Sequence, residues 1–368
     1  MRRIAMSVAA STMTLSLAGC GVLNATGSSA TATPTKGNDI TVGVLMPDKI
    51  NTRYTNFDYP IMKSKIAELT NKQGRVDYEN AASSAATQTK QMQKMIDGKV
   101  DVIILDAVDA HAIASMVKKA KVAGIPVIAY DRLAEGPIDS YVSFDNELVG
   151  EVQARTLLEG LGSNVDSSDK VVMVNGSLTD PNAKQFKTGA VSELTGKVTI
   201  AASYDTKDWD PGVAQKEVAK AIASIGRDNI AAVYSANDAM AAGVVKALKA
   251  AGVTNMPPIT GQDADLDAIQ RILSGEQYMT VYKPYPDEAE AAAEMAVYRV
   301  QGKDIQFDAL TQDTVDSPTN KDIPSQLVQV NAVTKSKIKD TVVADGIYKI
   351  SQICTAAYKT ACAEAGLK

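Results

Sequence analysis

Apolar runs of strand length alternate with amphipathic stretches along most of this chain. Residues 40–46 read as a strand, 60–70 carry apolar positions at helical spacing before a stop at Gly74, and 87–96 read as a helix closed by Gly98. Residues 102–105 are wholly apolar and end at Asp106, and 111–123 are helical up to Gly124. After Asn146 the alternation resumes, with helices at 147–161, 184–194, 213–225, 239–250 and 266–273. Strands fall at 171–174, 198–202, 231–234, just before Gly261, and at 279–282. Strands separated by helices predict an α/β fold with a parallel sheet covered on both faces. The alternation lapses once. Between Ile125 and Asn146 two strand-like runs, 125–130 and 141–144, have no helix between them, so the chain is expected to leave one sheet there and begin another.

Beyond Lys283 an Ala-rich helix at 288–300 precedes irregular polar sequence and an extended stretch near 326–333. A return to the first sheet is expected near Lys283, and another crossing at 316–325. The predicted lobes are 39–145 with 283–320 and 146–282 with 321–348, leaving 349–368 as an appendage.

With 368 residues, 45% hydrophobic and 22% charged, the chain has material for two domains. A net charge of -5 and the lack of a long basic run argue against nucleic acid as a partner. Residues 1–19 have a charged start at Arg2 and Arg3 and a short apolar core, the pattern of an export signal. Leu17, Ala18, Gly19 and Cys20 resemble the bacterial lipobox, which implies cleavage before Cys20, lipid on its sulfur, and anchoring to the outer face of the cytoplasmic membrane. An ordinary signal peptide cut elsewhere is the alternative. Residues 20–38, rich in Ser, Thr, Ala and Gly, then read as a flexible tether. Cys354 and Cys362 remain as a pair in an exported chain and are expected to form a disulfide closing a small C-terminal loop, with two free thiols as the alternative.

Ligands of doubly wound sheets bind beyond the carboxyl ends of the strands. Those ends carry Asp131 with Arg132, Asp145 with Asn146, Asn175 leading to Asp180 and Asn182, Asn237 with Asp238, Gln262 with Asp263, and Lys283. Asp and Asn favour caps and turns, but Arg132 and Lys283 are poor caps. The single Trp, Trp209, lies in the polar loop TKDWDPG, and Tyr54 follows the first strand in INTRYTNFD. Flat aromatic faces flanked by charged donors and acceptors suit a pyranose ring.

The strings AYDR, SFDN, DPNAK, SANDA, GQDAD and VYKP, in this order, resemble the periplasmic sugar-binding proteins of pentose-type ABC importers, in particular the xylose-binding and multiple-monosaccharide-binding members. The resemblance implies the type I periplasmic binding protein fold, two doubly wound parallel-sheet lobes joined by a three-strand hinge and closing on one monosaccharide. Carried over by motif, Asp131, Arg132, Asp180, Asn182, Asn237, Asp263 and Lys283 would bond the hydroxyls. Arg53 and Tyr54 match an Arg-aromatic pair after the first strand, and Tyr54 and Trp209 would sandwich the ring. Asp145 and Asn146 would serve the hinge and a helix start. Tyr54, where Trp is common, and Pro181 depart from the family pattern. The implied partners are a monosaccharide and an ABC permease, with a membrane sensor or chemoreceptor as the alternative; the chain is expected to be monomeric, without cofactor or metal.

An exported sugar-modifying enzyme is the competing class. The sequence lacks a G-x-G-x-x-G after its first strand and lacks a P-loop. Its single His, His111, reads as structural, which leaves nucleophilic triads and transition-metal sites little to work with.

Overall fold

The computed structural model describes residues 35–368; the export signal, Cys20 and the tether up to residue 34 lie outside the described residues. In chain order the strands are β1 (Thr41–Met46), β2 (Arg75–Asn80), β3 (Val102–Leu105), β4 (Val127–Tyr130), β5 (Ser140–Phe144), β6 (Lys170–Asn175), β7 (Thr199–Asp205), β8 (Ala232–Ser235), β9 (Met279–Tyr282), β10 (Asp313–Val315), β11 (Ile323–Val328) and β12 (Asn331–Thr334). The helices are α1 (Tyr59–Leu69), α2 (Ala85–Asp97), α3 (Ala114–Val122), α4 (Asn146–Leu161), α5 (Pro181–Leu194), α6 (Pro211–Ile225), α7 (Asp238–Ala250), α8 (Leu266–Ser274), α9 (Tyr285–Gln301), α10 (Asp304–Leu310), α11 (Ile350–Ile353) and α12 (Lys359–Glu364).

The first sheet has the order β10-β11-β5-β4-β3-β1-β2, parallel except for β10. Its central strands are buried on both faces, which is why they read as unbroken apolar runs. Val44, Ile104 and Ile128 pack with Met62 of α1 and Met295 of α9 on one side. Leu45, Ile103 and Val127 pack with Met92 of α2 and Met116 of α3 on the other. At roughly 1.5–3 kcal/mol for each fully buried aliphatic side chain, these two layers are what hold the sheet.

The second sheet is built on β7-β6-β8, all parallel. Bridges from Val233 to Ile259 and from Gln262 to Val281 connect it to β9, which pairs antiparallel with β12. Here α4 and α5 cross at two glycines. A methyl group on Gly150 would lie 2.0 Å from the Phe186 carbonyl oxygen, and one on Gly189 would lie 2.0 Å from that of Glu147. Their absence lets the helices touch backbone to backbone.

The chain passes between the sheets three times: after β5, at Lys283 and Pro284 between β9 and α9, and between Val328 and Asn331. The last passage falls later than expected. Residues 323–328 pair in parallel with β5, Ser325 against Tyr141, so the stretch anticipated as one strand near 326–333 is two strands in two sheets.

Other expectations also change. Residues 349–368 are no appendage: Ile353, Cys362 and Leu367 are buried with Ile269 and Leu273 of α8 and Val333 of β12. Gln270 Nε2 donates to the Gln352 and Ile353 carbonyls (3.2 Å each), and Cys354 and Cys362 form a disulfide. The end of the tether is held, with Lys36 N donating to Val300 O (3.0 Å). β2 escaped the apolar pattern because it is a half-exposed edge strand, RVDYEN. α10 and β10 occupy the stretch read as irregular.

Candidate functional site

The strand ends of both sheets face one cleft. Asp48, Ile50, Asn51, Tyr54, Asp131 and Arg132 line it from the first sheet's side. Asp180, Asn182, Phe186, Trp209, Asn237, Gln262 and Asp263 line it from the second, and Lys283 sits at a crossing. The space between them, including its mouth, is about 390 Å³.

Local structure explains how each group is presented. Asp180 and Asn237 are N-caps: their carboxylate and amide oxygens accept from Asn182 N and Met240 N (2.9 Å each), so the helix starts fix them at the rim. Asn182 and Phe186 lie one turn apart on α5, on the same face. Tyr54 opens a π-helical turn, Tyr54–Asp58, that leads into α1. Trp209 reaches in because Gly176 leaves room; a methyl group there would lie 2.1 Å from the indole. Phe186 meets that indole edge-on at 6.2 Å. Asp131 (φ 56°), Asp208 (φ 56°), Trp209 (φ 57°) and Asp263 (φ 92°) all occupy the left-handed backbone region, which is uncommon for such residues.

Charge-assisted bonds line the cleft, and some run across it. Arg132 Nε lies 2.9 Å from Asp180 Oδ2, and its Nη2 lies 3.3 Å from Asp48 Oδ2. Asn51 Nδ2 donates to Asp263 Oδ2 (2.9 Å), and Asn182 Nδ2 donates to Asp131 Oδ1 (3.0 Å). Lys283 Nζ is 3.0 Å from Asp263 and 3.9 Å from Asp131. Burial works against the Asp131 charge, but Lys283, Arg53 and Arg132 outweigh it and hold this carboxylate below its ordinary range. At Asp180 burial prevails over Arg132 and moves the carboxyl upward.

Three buried polar atoms of the lining, Asn182 Oδ1, Trp209 Nε1 and Gln262 Oε1, have no partner among the described residues. Such atoms are costly unless something satisfies them. Donors and acceptors of both signs beside the faces of Tyr54, Phe186 and Trp209 suit a neutral, polyhydroxylated molecule. With four carboxylates to two cations, the lining is a poor anion site.

A family model described as a periplasmic binding protein domain matches residues 42–304. The chain belongs to that family. It is therefore a binding protein rather than an enzyme, with the type I periplasmic binding protein fold. It is 37% identical to the D-xylose-binding periplasmic protein of Escherichia coli over 76% of this chain and 83% of that one. It is 30% identical to the multiple sugar-binding periplasmic receptor ChvE of Rhizobium radiobacter, over 85% of this chain and 92% of that one. A solved solute-binding protein of an ABC transporter from Clostridium phytofermentans, with bound β-D-glucose, superposes with a TM-score of 0.77 at 28% identity, covering 85% of this chain and 99% of that one. Among the described residues no helix is long and apolar enough to cross a membrane.

Within this periplasmic binding protein the structure brings Tyr54, Asp131, Arg132, Asp180, Asn182, Trp209, Asn237, Asp263 and Lys283 together in the cleft lining. Arg53 stands apart. It is buried behind the cleft, where Nε donates to Asp58 (2.9 Å), Nη1 to Asp131 (2.8 Å) and Nη2 to Glu288. Asp48, Ile50, Asn51, Phe186 and Gln262 join the lining without having been singled out as ligand residues. Asp48 and Asn51 follow β1, where the strand-end rule points, and Phe186 is four residues after Asn182. Asp145 caps α4, accepting from Leu148 N (3.0 Å), and His111 is on the surface, with Nδ1 2.9 Å from Glu135.

Proposed function

We propose that this chain captures a monosaccharide, xylose or a similar pentose or hexose, between two closing lobes and delivers it to an ABC permease. One observation carries the reading: charged donors and acceptors from both sides, three aromatic faces and three unpartnered polar atoms converge on one small cleft. The sugars bound by the similar proteins support it. In this reading the lobes are 39–144 with 285–328 and 146–282 with 331 onward, and the three crossings are the hinge. Closure is driven by the ligand's greater affinity for the closed form, and the closed form is what the permease recognises. Lipid on Cys20 keeps the monomeric receptor at the outer face of the membrane.

Calorimetric titration with xylose, glucose, galactose, arabinose, ribose and fructose tests the reading. One or two sugars are expected to bind tightly, with Trp209 fluorescence changing in parallel. Equal weak binding of all six, or binding without a Trp209 response, would overturn the assignment of this cleft.

A further inference from the structure

Behind the cleft one guanidinium faces three carboxyl groups. Arg53 is wholly buried and bonded to Asp58, Asp131 and Glu288, with the Tyr130 hydroxyl 3.1 Å from Nη2. Lys283 is the next cation, but it lies closer to Asp263 than to Asp131. Glu288 Oε1 and Asp58 Oδ1 have no hydrogen-bond partner among the described residues. Three ionised carboxylates around one cation, away from water, would carry a desolvation penalty of several kcal/mol per ion.

The surroundings of Glu288 offer little relief. Facing it are Arg53 and Asp58 from the π-helical turn, Tyr130 and Asp131 at the end of β4, Tyr141 on β5, and Lys283 at the crossing. Lys65 of α1 is taken up by Glu290 and Glu294 on the outer side of α9, 3.1 Å from each. Burial pushes the Glu288 carboxyl up to about 8, with Arg53 offsetting only part of the rise.

We propose that Glu288, which does not line the cleft, is a positioning residue for the ligand site: protonated, it leaves the Arg53 guanidinium to Asp131, and once ionised it competes for that guanidinium and weakens sugar binding. The inference rests on the sugar reading above. It places a control point on α9, just past the second crossing, and makes Arg53 the link between that helix and the ligand.

The test is sugar affinity from about pH 6 to about 9.5 for the wild-type chain and for Glu288→Gln, with infrared difference spectra over the same range. Wild-type affinity should hold to about pH 7 and fall about tenfold by about pH 9. Glu288→Gln, whose carboxamide copies the neutral acid, should keep the neutral-pH affinity without the fall, whereas Glu288→Ala should bind more weakly at every pH. The wild type should also lose protonated-carboxyl carbonyl intensity over that range beyond what Asp58 and Asp265 contribute, and Glu288→Gln should lack that excess. A Glu288→Gln affinity profile that tracks the wild type, or infrared difference spectra identical in the two chains, would overturn the proposal while leaving the sugar reading intact. A wild type that binds no sugar at any pH would overturn that reading and the positioning role with it; the infrared band would still report the proton by itself.

Discussion

Arg53 and Arg132 are both buried, and each has three carboxyl groups within 4 Å, yet they do different jobs. Arg53 draws Asp58, Asp131 and Glu288 from the first sheet and the elements packed on it. Arg132 takes Asp48 (3.3 Å) and Asp106 (3.6 Å) from that side and Asp180 (2.9 Å) from α5, across the cleft. An ion pair between groups on one side of the cleft need not break when the cleft opens. One that spans the cleft is made and broken with closure, so it can be coupled to a ligand.

The contrast can be broken most forcefully at Arg53. Arg53→Met strands three buried carboxyl groups and is expected to cost about 3–5 kcal/mol of unfolding free energy, measured by urea denaturation. A loss under about 1 kcal/mol would show that Arg53 is not the scaffold described. For Arg132→Met the expectation inverts. Asp48 and Asp180 face the cleft and can be hydrated, and burial pushes the Asp106 carboxyl well up toward its neutral form, so stability should fall by less than about 2 kcal/mol while sugar affinity falls about 100-fold in calorimetric titration. Equal losses in both variants would erase the distinction.

The smallest effect sharpens the comparison through pH. Burial raises Glu288 from 4.5 to about 8 and Asp58 from 3.8 to about 6, with Arg53 offsetting part of each rise. Between these values the folded chain holds protons that the unfolded chain has released, so stability declines as pH rises through that window. Asp131, held low, acts oppositely and loses its contribution only in acid. From these groups alone the melting temperature should therefore be highest near about pH 4 and drop by several degrees toward about pH 9. Burial also raises Asp265, to about 7, and Asp106 and Asp238, so Glu288→Gln should remove only part of that slope in a thermal scan, whereas a slope unchanged by the substitution would count against the buried proton.

What could be read in the sequence follows from which physical signals are local. β3 and β4 are buried on both faces, so their apolar runs are unmistakable, and Asp131, Arg132 and Lys283 are marked by standing where such runs stop. Arg53 has the same local signature as a ligand residue. Its side chain is instead held behind the cleft by Asp58 and by groups remote in sequence, Tyr130, Asp131 and Glu288. The polar edge strand β2 carries too little periodicity to be seen, because one sheet edge and half its face meet solvent. The C-terminal segment looked expendable for a related reason. Its buried residues, Ile353, Cys362 and Leu367, are spaced by the shape of α8 beneath them rather than by a period of their own.

The β5–β11 pairing has a consequence for how the protein is made. β11 reaches its neighbour only after every residue of β6 through β9 has been synthesised. Until then the outer edge of β5 offers an open row of backbone donors and acceptors, the kind of edge that recruits strands from other chains. Misassembly during export should therefore begin at Tyr141–Phe144, and slowing the arrival of β11 should raise the yield of aggregates before it changes the stability of molecules that have finished folding.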